Sequence, residues 1–229
     1  MKKNWLALLL TLIFSGTAPI LHAEDSVVAG NSAAGKSKAS SCGGCHGENG
    51  NSAIPTFPKL AQQHSSYLLN QLHAFKDGNR IDAVMAPMAM ALSDTDMLDI
   101  AAYYSAQSIS VNPAPTLPPD DNADEAVDAN KAKEKLKDLL AAGSNLYRNG
   151  NLGSEVSACI ACHGPAGEGN KPAAFPALRS QHPDYLIKTL ADFKSGVRSN
   201  NPDNMMVMIA KKMSDEEIKA VSYHISTMK

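Results

Sequence analysis

The four cysteines are the residues best placed to do chemistry, because all of them lie in two copies of one short motif. The motif is C-x-x-C-H, and it occurs at residues 42–46 and again at residues 159–163. Residues three apart share a face of a helical turn, so both thiols of a copy can reach the two vinyl groups of one porphyrin. The histidine that follows then points at the iron. Two such motifs with no cysteine left over predict two covalently bound haem c groups.

Two other chemistries would use the same thiols. One is a redox-active dithiol of the thioredoxin type, and the other is a single zinc ion held by two C-x-x-C pairs. Neither explains why a histidine follows directly both times, so the haem interpretation is favoured. The predicted attachment residues are Cys42, Cys45, Cys159 and Cys162, and the predicted axial histidines are His46 and His163.

Each iron needs a sixth ligand, and a methionine thioether would raise the reduction potential and suit electron transfer. The candidates are Met85, Met88, Met90, Met205, Met206 and Met208. When Ser93 is aligned with Ser214, at an offset of 121 residues, only Met85 and Met206 coincide. These two are therefore the predicted ligands, and the other four are interpreted as flexible core residues. The histidines at positions 64, 73, 182 and 224 are less favoured as axial ligands.

Two further pairs of residues match between the halves. Pro58 and Pro176 follow the motif histidines by about a dozen residues, and their carbonyls are candidates to hold the second ring nitrogen of each histidine. A simple turn role is the alternative. Arg80 and Arg198 can pair with haem propionates, since a guanidinium suits a carboxylate, or can form exposed salt bridges.

The chain begins with two lysines, an apolar stretch and a short Leu-His-Ala segment before the first acidic residues. This order is typical of a secretory signal peptide over residues 1–23, cleaved after Ala23. A retained membrane anchor is the alternative, but the apolar run is shorter than the roughly 20 residues a spanning helix needs. Export suits covalent haem attachment, and in a bacterium it predicts a periplasmic protein.

The rest of the chain is an internal duplication. Residues 57–80 match residues 175–198 at one constant offset of 118, and the cysteines match at 117. Apolar residues recur at helical spacing in both halves, S-D-x-[DE] boxes open the last predicted helices, and no alternating strand pattern occurs. The sequence predicts an all-α fold with two tandem haem-binding domains, at residues 24–110 and 131–229. A Pro/Asp-rich linker, residues 111–130, joins them.

The charge balance gives no indication of nucleic-acid binding, because without residues 1–23 the chain has 19 basic and 23 acidic side chains. Residues 24–112 carry 5 basic and 8 acidic groups, whereas residues 141–229 carry 10 and 8. This gradient is either ordinary solvated surface or a dipole that orients the protein on charged redox partners.

The repeated motifs C-x-x-C-H-G, F-P-x-L, Q-H-x-x-Y-L and F-K-x-G-x-R, with a methionine after them, resemble the cytochrome c4 family. This resemblance implies two facing class I cytochrome c domains with His/Met-ligated haems, in a periplasmic electron carrier that is soluble or loosely associated with the membrane surface. It further implies partners: a quinol-oxidising cytochrome bc complex as donor and a terminal oxidase as acceptor. The alternatives are the dihaem subunit of a flavocytochrome sulfide dehydrogenase, or an enzyme such as a dihaem peroxidase or a thiosulfate-oxidising cytochrome.

Overall fold

The structure is a computed structural model that describes residues 29–117 and 129–229. The predicted signal peptide, and the linker residues from 118 to 128, lie outside these described residues. The described residues form ten α-helices and no strand, with two isolated β-bridges, so the all-α prediction is confirmed. No helix within the described ranges combines the length and apolar character needed to cross a membrane.

The ten helices divide into two matching sets of five. The first unit contains α1 (Ser32–Lys38), α2 (Gly43–His46), α3 (Ser65–Lys76), α4 (Met85–Met90) and α5 (Asp94–Ser105). The second unit contains α6 (Ala129–Asn149), α7 (Ile160–His163), α8 (Pro183–Ser195), α9 (Met205–Ala210) and α10 (Asp215–Ser226). The one clear difference in length is α6, with 21 residues against the 7 of α1.

Local sequence signals set the helix ends as expected. Ser93 and Ser214 cap α5 and α10, and in each case the acidic side chain three residues later reaches back to the serine backbone, so both predicted capping boxes are confirmed. Gly78 and Gly196 follow α3 and α8 with φ of 74° and 81°, a left-handed conformation that glycine adopts without a steric cost.

The first and last helices of each unit cross at a glycine. A Cβ atom added to Gly35 of α1 would lie 2.0 Å from the carbonyl oxygen of Asp99, and one added to Gly143 of α6 would lie 2.0 Å from that of Ala220. The helices therefore touch backbone to backbone in both units. Around each crossing, buried apolar residues of α3 and α5, or of α8 and α10, complete a core. In the second unit Phe193 and Val207 form a further, smaller buried cluster with Ala210.

Candidate haem-binding sites

The histidine of each motif is buried and oriented by a proline carbonyl. His46 is the last residue of α2, and its Nδ1 lies 2.8 Å from the carbonyl oxygen of Pro58. His163 ends α7 in the same way, with Nδ1 2.9 Å from the carbonyl oxygen of Pro176. A carbonyl can only accept, so Nδ1 carries the proton and Nε2 keeps its lone pair for a metal. The prediction for the two prolines is confirmed.

The electrostatics of both histidines suit neutral ligands. Burial lowers the pKa of His46 and of His163, and the proline carbonyl offsets this only in part. Phe57 and Phe175 lie at matching positions beside the two imidazoles, with ring centroids 6.2 Å and 6.5 Å away. Each imidazole is thus held unprotonated at Nε2, as metal binding requires.

The four cysteines are free and half-buried. Burial raises the pKa of Cys42, and raises that of Cys159 to about 11, the opposite of the lowered pKa that a reactive dithiol needs. Among the described residues, no group of three or more His, Cys, Asp and Glu side chains is arranged to hold a metal ion. The four cysteines are therefore not brought together into the single zinc site of that alternative. Paired thiols one turn apart beside a buried, oriented histidine fit a covalently attached porphyrin.

Met85 and Met206 occupy matching places near the start of a short helix. Met85 is the first residue of α4 and donates its backbone N–H to Asp82 Oδ1 at 2.9 Å, while Met206, the second residue of α9, donates to Asn201 Oδ1 at 2.8 Å. The offset of 121 also aligns two fully buried alanines, Ala89 and Ala210. Both methionines are partly buried, and their role as iron ligands stays a prediction.

The other four methionine candidates differ in how far they are buried. Met88, Met90 and Met208 are 40%, 67% and 55% exposed, so their interpretation as core residues is wrong. They lie on the outer side of α4 and α9, and only Met205 is partly buried like the predicted ligands.

The two units are joined by reciprocal hydrogen bonds from two buried glutamines. Gln181 of the second unit accepts from the backbone N–H of Lys59 at 2.9 Å and donates to the Lys59 carbonyl at 3.0 Å. Gln63 of the first unit makes the same two bonds to Ala177, at 2.9 Å and 2.8 Å. Since both pairs differ by 118 residues, the interface has pseudo-twofold symmetry. The repeated Q-H dipeptide was the available signal. The sequence alone does not show whether these glutamines bond within their own unit or across the interface.

The matched arginines also bond across the interface. Arg80 donates to Tyr185 Oη at 3.2 Å, and Arg198 donates to Tyr67 Oη at 3.0 Å. Both donate to the Gln71 side-chain oxygen, at 2.8 Å and 2.9 Å. Neither is in an ion pair with a described carboxylate, so the exposed salt-bridge alternative is wrong. Pairing of these two arginines with haem propionates stays a prediction.

The remaining histidines take other positions. His64 and His182 directly precede α3 and α8, as predicted, but each contacts the opposite unit and neither lies on the open surface. His182 Nε2 is 2.9 Å from the carbonyl oxygen of Ser52 in the first unit. His224 lies against Tyr147, with ring centroids 5.9 Å apart, and His73 is a partly buried residue of α3.

The start of the connector is bound to both units. Asn112 donates from its side-chain amide to the carbonyl oxygens of Ser180, Gln181 and Ser226 at 3.0, 3.0 and 3.1 Å. Its side-chain oxygen accepts from Lys59 Nζ of the first unit at 2.7 Å. Through Asn112 the connector therefore adds to the fixed orientation of the two units.

Two helical units, each with a C-x-x-C-H turn, a carbonyl-oriented histidine and a methionine in register, define a dihaem c-type cytochrome. The cytochrome c family model matches residues 32–107 and 140–229. Cytochrome c4 of Pseudomonas aeruginosa is 42% identical, over 98% of each chain. The crystal structure of reduced cytochrome c4 from Pseudomonas stutzeri superimposes with a TM-score of 0.75 at 39% identity, over 88% of this chain and all of that one.

A more distant relative is the thiosulfate dehydrogenase electron acceptor of Stutzerimonas stutzeri, 35% identical over 83% of this chain and 80% of its own. The chain belongs to the cytochrome c4 family. It is a dihaem electron-transfer cytochrome with two covalently bound haem c groups.

Proposed function

We propose that this cytochrome carries electrons in the periplasm from a quinol-oxidising cytochrome bc complex to a terminal oxidase or reductase. The observation that carries the proposal is the matched pair of buried imidazoles, each with Nδ1 on a proline carbonyl, an arrangement that makes Nε2 the metal-binding nitrogen. Membership of the cytochrome c4 family and the signal-like N-terminus support the same role. Fractionation of the native host, with N-terminal sequencing of the mature protein, tests the location, and we expect a periplasmic protein that begins at Glu24.

We assign the ligands by motif. Cys42 and Cys45 attach one haem, which His46 and Met85 ligate, and Cys159 and Cys162 attach the other, which His163 and Met206 ligate. The haem iron supplies the one-electron couple between its ferric and ferrous states. The chain contributes a fixed imidazole, a soft thioether that favours ferrous iron, and burial that limits reorganisation during transfer.

The methionine assignment is tested by Met85→Ala and Met206→Ala, each compared with Met88→Ala on the exposed side of α4. Each ligand substitution should lower the potential of its own haem and remove half of the methionine-to-iron charge-transfer absorbance. Met88→Ala should change neither. An unchanged potential with the full absorbance retained in Met85→Ala would reject that ligand.

Two dedicated electron-transfer sites are proposed in preference to an enzyme with an open iron. Cyanide and peroxide added to the oxidised and reduced protein test this directly. We expect slow binding at both haems, because two ligands occupy each iron. Rapid binding or turnover at one haem would instead favour a dihaem peroxidase or a thiosulfate-oxidising enzyme.

A second candidate function is electron acceptor of a sulfur-oxidising enzyme. The 35% identical thiosulfate dehydrogenase electron acceptor favours it, and a flavocytochrome sulfide dehydrogenase would need a similar dihaem subunit. Isolation of the native protein under low salt distinguishes the cases. A copurifying thiosulfate dehydrogenase or flavoprotein would favour this second function over the respiratory one.

We also propose that α6 brings the protein to an anionic membrane surface. In a helix of 3.6 residues per turn, Ala132, Leu136 and Leu139 form one stripe on the N-terminal part of α6. Four lysines lie on the two sides of this stripe, Lys131 and Lys135 on one side and Lys133 and Lys137 on the other. The acidic residues lie farther round the helix, Asp138 next to Lys131 and Glu134 in an ion pair with Lys137. This distribution is typical of a helix that lies on a lipid surface.

Cosedimentation with phosphatidylglycerol vesicles tests the α6 proposal. The variant with these four lysines replaced by glutamine should lose most of the vesicle binding that the wild type shows at low salt. Lys211→Gln with Lys212→Gln, which removes two lysines near α9, is the control and should bind as the wild type does. Equal loss in both variants would indicate a general charge effect and contradict the role of α6.

A further inference from the structure

The hydrogen bonds of the two interface glutamines end on the peptide groups that orient the axial histidines. The carbonyl of Pro58 and the N–H of Lys59 belong to one peptide group. That carbonyl lies 2.8 Å from His46 Nδ1, while that N–H donates to Gln181 Oε1 at 2.9 Å. A continuous chain of hydrogen bonds therefore runs from a side chain of the second unit to the axial imidazole of the first.

The same chain exists in the opposite direction. The carbonyl of Pro176 lies 2.9 Å from His163 Nδ1, and the N–H of the same peptide group, at Ala177, donates to Gln63 Oε1 at 2.9 Å. Gln63 and Gln181 are both buried, as is Lys59. Each glutamine thus bonds the peptide group that orients the axial histidine of the opposite unit.

Hydrogen bonds through one peptide group reinforce each other. An amide N–H that donates polarises its peptide, which makes the carbonyl at the other end a stronger acceptor. A stronger acceptor at Nδ1–H raises the basicity of the imidazole and its donation to a metal at Nε2. Greater donation stabilises the ferric state and lowers the reduction potential.

We propose that Gln181 is a positioning residue for the haem of the first unit, and Gln63 for the haem of the second. Each glutamine tunes the potential of the opposite haem through the proline carbonyl that holds its axial histidine. The proposal rests on the axial roles of His46 and His163 proposed above. It couples the two redox centres through protein hydrogen bonds, so that a change at the interface alters both potentials.

The test uses the dihaem protein with Gln181→Met or Gln63→Met, which keep the side-chain volume close to that of glutamine but cannot make either hydrogen bond. A redox titration followed by NMR gives the potential of each haem separately. Gln181→Met should raise the potential of the first haem more than that of the second, and Gln63→Met should do the reverse. The Nδ1 proton of the histidine in the opposite unit should exchange with solvent faster in each variant.

Ser66→Ala is the matched control. It removes a 3.0 Å hydrogen bond from Ser66 to the Lys171 carbonyl across the same interface but leaves every hydrogen bond of the Pro58–Lys59 and Pro176–Ala177 peptide groups in place, and should leave both potentials unchanged. A larger shift at the haem of the substituted unit, equal shifts at both haems, or no shift would each overturn the proposal. If the Gln181→Met protein does not bind two haems, Gln181→Asn replaces it. Its side chain is one methylene shorter, and it should likewise raise the potential of the first haem more than that of the second.

The axial assignment is checked first in the ferric wild type. Strongly paramagnetically shifted imidazole signals from His46 and His163 establish that both rings bind iron. Their absence would contradict the proposed ligands, whereas their presence without the crossed shifts would contradict only the role of the glutamines.

Discussion

The helix crossing of the first unit is ionic, whereas that of the second is apolar. In the first unit, Lys38 of α1 pairs with Asp99 and Asp96 of α5 at 2.6 Å and 2.8 Å. With Gly35 aligned on Gly143, and Ser93 on Ser214, the matching residues of the second unit are Leu146 for Lys38, Ala220 for Asp99 and Glu217 for Asp96. The duplicated units therefore kept the backbone contact and replaced the side chains around it.

A tyrosine has also changed helices between the units. Tyr103 on α5 donates to the Glu48 carbonyl at 2.9 Å, just after the first motif. In the second unit the matching residue is His224, and the bond to the segment after the motif comes from Tyr147 on α6, which donates to the Gly164 carbonyl at 2.7 Å. The position matching Tyr147 in the first unit is the small Ala39. In both units a tyrosine hydroxyl therefore holds the segment after the motif against the crossing helices. The tyrosine lies on the last helix in the first unit and on the first helix in the second.

The largest loss of stability is expected at the glycine helix crossing, which the two units share. Gly35→Ala and Gly143→Ala each place a methyl group against a backbone carbonyl at a fixed helix crossing. Overpacking of this kind should lower the free energy of unfolding of the affected unit by about 3 kcal/mol. Chemical denaturation followed by the NMR signals of each haem measures the two units separately.

Gly44→Ala is the control for the glycine variants. Gly44 has no heavy atom within 4 Å of an added Cβ, and the matching residue of the second motif is Ala161. Its effect should be within about 0.5 kcal/mol of zero. A cost much greater in one crossing than in the other would show that the shared backbone contact is not equally tight in the two units.

Much of this comparison was accessible from the sequence, because its signals are local. The C-x-x-C-H turns, the proline carbonyls at Pro58 and Pro176 and the caps at Ser93 and Ser214 each depend on residues within about a dozen positions. The exchange of Tyr103 for Tyr147 was not predictable, because it depends on which residues of two distant helices face each other. The same holds for the contacts of Gln63 and Gln181, which join residues more than a hundred positions apart.

A moderate loss of stability is expected from the two tyrosines that bond the motif segment from different helices. Tyr103→Phe and Tyr147→Phe each remove one hydrogen bond to a carbonyl next to the motif, and each should lower the free energy of unfolding of its own unit by about 1 kcal/mol. Denaturation monitored at each haem measures this. Tyr223→Phe in α10 is the control, since no hydrogen bond from its hydroxyl is present among the described contacts. A loss in the opposite unit would contradict a local role for the two tyrosines.

The smallest change in stability is expected from the pairing of Lys38 with Asp96 and Asp99, and this contribution varies with pH. Hydrogen bonds from Lys38 lower the pKa of Asp96 and of Asp99, further aided by Ser93 and Asn31. A carboxyl whose pKa is lower in the folded state stabilises the fold above its ordinary pKa of about 4, and this contribution is lost as pH falls toward the lowered value. The second unit also has carboxyls with a lowered pKa, Glu155 and Glu216, but both are exposed, whereas Asp99 is buried. Between pH 6 and pH 3, the first unit should therefore lose more stability than the second.

The double variant Lys38→Leu with Asp99→Ala places the residues of the second unit into the first and so tests the cause. It should reduce the difference in acid sensitivity between the units, although the backbone N–H of Asn31 loses its 2.6 Å bond to Asp99 and the overall stability of the first unit falls. Asp94→Asn, at the exposed start of α5, is the control and should leave the pH profile unchanged. If the double variant keeps the acid sensitivity of the wild type, the difference between the units arises from groups other than the ionic crossing. The two consequences can be measured separately. The lost Asn31 bond lowers the stability of the first unit at every pH, whereas the lost ionic pair changes how that stability varies between pH 6 and pH 3.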